Sequence, residues 1–339
     1  MTASMLESLA EGGLSAELFD AIKLNPSGAN VEAGVEDYRK GGCDGVIALG
    51  GGSGLDVGKA VALMAAQRLP IWEFEDVGDN WTKADPEGIA PVIAIPTTAG
   101  TGSEVGRACS ITLNNGSKSA CVSLKLIPDC ALCDPGLTLT LPPKMTAATG
   151  VDALTHGIES FLSTRNNPPV EAIALDCVVR SESWLEPVVA DGQNREARWQ
   201  MLMASLEGGM TFQKGLGATH SLAHPLSTIA GVPHGLANAI LLPHVLRFNA
   251  ESVPERLRDI GIAMGLDIIS QSSQEAASTT IDAIDRFLRN IGIPTHLSET
   301  GVDPDILPTL VSKALEDGCH LLNPRPCTAN DFRLLYEEA

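Results

Sequence analysis

The sequence predicts a two-part fold: an α/β half built on a parallel sheet over residues 1–141, then an all-helical half over residues 142–339. Three observations predict it. Short apolar runs alternate with helical stretches up to about residue 141. Beyond Leu141-Pro142-Pro143 the strand signals cease, and long stretches of helical periodicity replace them. A chain of 339 residues is also long enough to bury a core in each part.

In the first half, LFDAIKL (18–24), DGVIALG (44–50) and PVIAIPT (91–97) read as strands bounded by Gly, Pro and Asn. Helices are expected over residues 31–41 and 54–67, on the faces of the sheet. A hairpin is expected over residues 109–124, turning at Asn114-Asn115-Gly116. CALCDP (130–135) reads as a last buried strand, with Cys130 and Cys133 as core thiols. In the second half, helical periodicity covers residues 144–164, 170–191, 195–214, 235–249, 272–291 and 304–315. Pro and Gly punctuate these stretches at 168–169, 192, 231–233 and 292–294.

The formal charge is −19, from 23 basic and 42 acidic side chains, and no Lys/Arg-rich stretch interrupts it. That balance excludes nucleic acid and anionic membrane as partners. The longest apolar runs fall far short of the ~20 residues of a membrane span. The opening MTASMLESLAEGG has neither the basic end nor the apolar run of a secretory signal. Eight cysteines form no disulfide-like framework, so a reducing cytoplasm is the expected compartment.

Two glycine loops follow successive strand candidates. In the first, Gly50, Gly51, Gly52 and Ser53 lead from a strand into a helix, so backbone N–H groups and the helix dipole could receive a phosphate. The segment departs from GxGxxG, because the last position is Leu55, and a tight structural turn is the alternative. In the second, PTTAGTGSEV, hydroxyls of Thr97, Thr98, Thr101 and Ser103 accompany Gly100 and Gly102, which leave room for a ligand. Two such loops at neighbouring strand ends suit a dinucleotide in the sheet crevice. Asp56 either caps the helix after the first loop or steadies the loop.

The chain has seven histidines, and five of them lie between positions 156 and 244. Asp152 and His156 are four residues apart, so a helix projects them from one face. His220, His224 and His234 cluster in THSLAHPLSTIAGVPHG. HSLAH lacks the Glu of HExxH, so the general base of a zinc protease is missing. Three imidazoles and a carboxylate without a thiolate suit iron(II), zinc, cobalt or nickel. Glu159 continues the Asp152–His156 face, either behind the ligands or as a plain surface carboxylate. His244, His296 and His320 read as structural.

In this order, GGGSGLDVGKA (50–60), PTTAGTGSE (96–104), ATGVDALTHGIES (148–160) and HSLAHPL with PHG resemble the iron-dependent (group III) alcohol dehydrogenase family. The resemblance runs from about Leu24 to the terminal NPRPCTANDFRLLYEEA. It implies a dehydroquinate synthase-like fold, with a nucleotide-binding α/β half and an all-helical metal half, as a homodimer. By the resemblance, Asp152, His156, His220 and His234 hold a divalent metal, Fe2+ first and Zn2+ or another ion as the alternative. His224 lies beside the nicotinamide and substrate as a participant in proton relay. Gly51, Gly52, Ser53, Asp56, Thr97, Thr98, Ser103, Lys118 and Leu137 serve NAD or NADP, and Asn25 lies near its adenosine end. The implied reaction is hydride transfer between a small alcohol or aldehyde and the nicotinamide.

The chain departs from the pattern in three places. Family members usually begin with another strand–turn–helix unit, whereas Met1 opens at the helix after it, so the sheet is expected to lack that strand. Gly106 stands where many members carry a threonine, and Gly54 where proline is frequent. The alternatives to a dehydrogenase are a non-redox relative of the same fold and a catalytically silent binding protein.

Overall fold

The computed structural model describes residues 2–112 and 118–339. The turn read at Asn114-Asn115-Gly116 lies outside the described residues, as does the side chain of Lys118. The first half comprises α1 (Thr2–Glu11), α2 (Gly28–Lys40), β1 (Val46–Gly50), α3 (Gly52–Met64), β2 (Val92–Pro96), β3 (Ala108–Thr112), β4 (Lys118–Val122) and β5 (Cys130–Ala131). Strands β1, β2 and β5 form a parallel sheet in that order, with Val46 opposite Val92 and Ile93 opposite Cys130. Strands β3 and β4 form the expected antiparallel pair, from Ala108 opposite Val122 to Thr112 opposite Lys118.

Alternation sets which residues of the parallel sheet are covered. Ala48, Val92 and Ala94 are buried against Leu55 and Ala62 of α3. The opposite face differs from expectation: Ile47 and Ile93 are exposed, and α1 buries no residue. Two further expectations are corrected. Residues 18–24 are irregular rather than a strand, because Phe19 and Ile22 pack on the core cluster of Val31, Val35 and Val61 without joining a ladder. Cys130 is exposed and Cys133 half-buried, because β5 is two residues long and pairs with β2 alone.

The helical half contains α4 (Pro143–Leu162), α5 (Pro168–Ala190), α6 (Arg195–Thr211), α7 (Ala218–Thr228), α8 (His234–Asn249), α9 (Pro254–Ala263), α10 (Ser273–Asn290), α11 (Leu307–Glu316) and α12 (Ala329–Glu338). Helices α7, α9 and α12 were not separated by periodicity; α9 starts on a proline, and α12 on a Thr328–Asp331 capping box. Helix α4 is the central rod, buried along nearly all of its length and packed by α5, α6 and α8. Its polar side chains Asp152, His156 and Glu159 are buried along with its apolar ones. Among the described residues, no helix is long and apolar enough to cross a membrane.

The two halves meet at the second glycine loop. Ser205 of α6 accepts hydrogen bonds from the N–H groups of Gly100 (2.7 Å) and Gly102 (3.3 Å). Gly102 is left-handed (φ 60°), and a Cβ built on it would stand 2.4 Å from the Gly209 Cα. A Cβ built on Gly100 would stand 2.7 Å from the Thr149 carbonyl oxygen. These two glycines therefore admit the helical half, and do not leave ligand room as the sequence reading expects. Gly102→Ala should destabilise the protein by about 2–5 kcal/mol, from strain plus overpacking, read as a lowered urea midpoint.

Beneath the same loop, Glu104 is buried, and its Oε1 has no hydrogen-bond partner among the described residues. Burial pushes its carboxyl from 4.5 up to about 7. Below about pH 4.5 it is protonated in both folded and unfolded chains, so it costs nothing. As pH rises to about 7 the unfolded chain releases a proton that the folded one keeps, and stability falls until the folded group also ionises. Denaturation across this window should show Glu104→Gln losing less stability than the parent, by about 1–3 kcal/mol at about pH 8.

Candidate metal and cofactor site

Asp152, His156 and Glu159 project from one face of α4 at i, i+4 and i+7. His220 comes from the first turn of α7 and His234 opens α8. The three imidazoles converge on one carboxylate oxygen. From Asp152 Oδ1, the Nε2 atoms of His234, His220 and His156 lie 3.5, 3.8 and 3.9 Å away. The His156 and His220 rings stack with centroids 4.8 Å apart. Two ligands of one ion at about 2.1 Å each stand about 3–3.5 Å apart, so the cluster is near a coordinating geometry. Asp152, His220 and His234 offer donor atoms that all lie within 4.8 Å of one another, and His156 stands beside them, 3.9 Å from Asp152 Oδ1.

The donors' neighbours support the same fit. The Asn238 amide, one turn after His234, donates to Asp152 Oδ1 at 2.8 Å and lies 3.3 Å from Nε2 of both His220 and His234. A partial positive charge thus sits where three lone pairs meet. Burial raises the Asp152 carboxyl, but His156, His234 and His220 outweigh it and hold the group well below the usual carboxylate range. Burial takes His156 down to about 4, so its imidazole is neutral at about pH 7. His220 goes up to about 9: burial opposes this, and the contacts with the Asp152 and Glu159 carboxylates prevail.

Glu159 resolves the alternative left by its spacing. It is buried, with Oε2 2.7 Å from His220 Nδ1, and it accepts from the N–H groups of Gly217 (3.0 Å) and Thr219 (2.7 Å). It therefore fixes the His220 ring from behind and caps the start of α7. Burial would raise its carboxyl, but the contacts with His220 and Thr219 lower it.

His224 lies one turn beyond His220 and stacks on His234, with centroids 5.2 Å apart. Its Nδ1 is 2.7 Å from Asp317 Oδ2, a partner the sequence reading missed because 93 positions separate the two. Asn238 was missed too, although its i+4 spacing from His234 was a signal. Burial raises the Asp317 carboxyl, but His224, the Cys319 amide and Ser221 hold it well below the usual range. His320, expected to be structural, belongs to this loop; its N–H donates to Ser221 Oγ at 2.9 Å.

The expected cofactor residues divide into two groups. Gly51 and Gly52 face Thr98 and Thr101, and the Thr97 N–H donates to the Gly50 carbonyl at 2.9 Å, so the loops adjoin as a dinucleotide crevice requires. Ser53, Thr97, Thr98 and Leu137 are partly accessible. Ser103 and Asp56 are engaged internally. Ser103 Oγ donates to Asp56 Oδ1 at 2.6 Å, and the Ser110 N–H donates to Oδ2 at 3.1 Å, so Asp56 steadies the loop instead of capping α3. Buried Lys59 joins the Ser103 and Gly106 carbonyls from below. Asn25, left-handed at φ 53°, donates its amide to the Ser227 carbonyl of α7 at 3.1 Å.

Glu159→Gln should lower divalent-metal affinity about 10–100-fold, because it removes the carboxylate behind His220. Competition titration with a chelating dye measures it, and unchanged affinity would separate Glu159 from the ligands.

The family model for iron-containing alcohol dehydrogenase matches residues 1–135, and the model for the C-terminal part of the Fe-containing alcohol dehydrogenase family matches residues 146–339. The 4-hydroxybutyrate dehydrogenase of Cupriavidus necator is 40% identical over 337 residues, covering 96% of this chain and 86% of that protein. An alcohol dehydrogenase from Oenococcus oeni superposes with a TM-score of 0.95 at 33% identity, covering 100% of this chain and 88% of the other. The sulfoacetaldehyde reductase of Bifidobacterium kashiwanohense, solved with NAD+, superposes at 0.87 with 32% identity, covering 99% and 86%. The α/β half followed by a helical half is the fold these matches share. By sequence, by fold and by the clustering of its histidines, the chain belongs to the iron-containing alcohol dehydrogenase family of alcohol and aldehyde oxidoreductases.

Proposed function

We propose that this chain interconverts a small alcohol and its aldehyde or ketone with NAD, at a divalent metal held by Asp152, His156, His220 and His234. The observation that carries the reading is the convergence of three Nε2 atoms within 3.5–3.9 Å of one buried carboxylate oxygen. Iron(II) is the proposed ion, and N3O ligation also accepts zinc. NADP is the alternative nucleotide. When bound, the ion supplies Lewis acidity at the alcohol oxygen and the nicotinamide accepts the hydride.

The chain's own residues orient and handle protons. Gly51, Gly52 and Ser53, at the start of α3, offer backbone N–H groups to the pyrophosphate, with Thr97 and Thr98 beside them. Lys118, Leu137 and Asn25 complete the proposed cofactor contacts, while Asp56 and Ser103 keep the loop in shape. His224, stacked on His234, takes the alcohol proton. We place the boundary between the halves at Pro142-Pro143, dividing the chain into residues 1–141 and 142–339, and propose a cytoplasmic homodimer.

The test is a panel of small alcohols and aldehydes with NADH, NADPH and their oxidised forms, after reconstitution with iron(II) or zinc. Turnover of at least one pair is expected. No thermal stabilisation by either nucleotide, together with no turnover, would sink the reading. His234→Ala should lower bound metal and turnover together, each by more than the about 10–100-fold typical of outer-sphere losses. Full turnover in that variant would refute the ligand assignment.

A further inference from the structure

Apart from the four proposed ligands, a second set of donor atoms converges in the described residues: His224, Asp317 and Cys319. Its geometry decides its role. The Nδ1 of His224 and Oδ2 of Asp317 are 2.7 Å apart, a charge-assisted hydrogen-bond length and shorter than the about 3 Å that two ligands of one ion keep. The other oxygen, Oδ1, accepts from Ser221 Oγ at 2.7 Å and from the Cys319 N–H at 2.9 Å. Ser221 Oγ in turn accepts from the His320 N–H, so the loop after α11 is clasped to α7 at two points. Asp317 therefore has a single orientation, with both oxygens filled by donors.

An acceptor-only carboxylate at Nδ1 requires the proton of the neutral imidazole to reside there. The remaining lone pair is then on Nε2 of a ring that stacks on His234. We propose that Asp317 is a positioning residue, which holds His224 as the Nδ1–H tautomer so that Nε2 receives the alcohol proton. This rests on the dehydrogenase reading above. In the step, the alcohol O–H bond breaks and an Nε2–H bond forms. Asp317 stays ionised beside the resulting imidazolium, and the carbinol hydride with its electron pair goes to NAD+.

The decisive variant is Asp317→Asn, which preserves shape but lets an amide N–H donate to Nδ1 and so moves the ring proton to Nε2. Nitrogen-15 spectra of histidine-labelled, zinc-loaded protein, taken where the ring is neutral and assigned with His224→Gln, report the tautomer. The expected result is Nδ1–H in the parent and Nε2–H in Asp317→Asn. With it, kcat should fall about 10²–10⁴-fold while KM, nucleotide affinity and bound zinc hold. Asp317→Glu should regain part of kcat with the parental tautomer. An unchanged tautomer in Asp317→Asn overturns the proposal, as does a loss of zinc and nucleotide affinity in step with kcat. So does a second equivalent of zinc bound by the parent and abolished by Cys319→Ser, which would make the trio a metal site. A tautomer switch in a protein that turns over no alcohol would instead count against the dehydrogenase reading alone.

Discussion

The site depends on one buried carboxylate. Glu159 takes the N–H groups of Gly217 and Thr219 and the ring nitrogen of His220, while Asn323 takes the N–H of Ala218 between them. The first N–H groups of a helix have no partner within it, and α7 starts inside the protein where water cannot serve. Satisfying them with a charged group from α4 joins two elements far apart in sequence. The same contact sets the rotation of α7 about its axis, and hence the directions of His220 and, one turn on, His224. A buried ionised carboxylate is stable only with such a complement of donors.

The second consequence of α4 is economy of placement. A helix buried on every side can carry polar groups only where they meet partners, and its Asp152–His156–Glu159 face does so against α7 and α8. Asn238 answers from α8 with its amide on Asp152. The cluster is thus assembled from three helices, and among the described residues the strand half contributes no donor to it.

The alternation of strands and helices in the first half, the run of helices in the second and the segments that carry Asp152, His156, His220 and His234 were legible in the sequence, because each is a local pattern. What escaped was long-range. Residues 18–24 look like a strand because Phe19 and Ile22 are apolar, yet their three-residue spacing serves packing on α2 and α3. Helix α7 was obscured by Pro225 within it and glycines on both flanks. Asp317 lies 93 residues from His224, and only the folded chain brings the two within a hydrogen bond. Ser103 matches a ligand-facing pattern, but Lys59 and Asp56 beneath it turn its hydroxyl inward, which no spacing rule reveals.

The contact of Gly102 with Gly209 bears on how such a protein can vary. Loop and helix touch there through main chain, with no side chain between them. The separation between the second glycine loop and α6 is therefore gauged by bare backbone. Substitutions that leave both glycines in place leave that gauge unchanged. Two residues with no chemistry of their own thus set how closely the second glycine loop approaches α6.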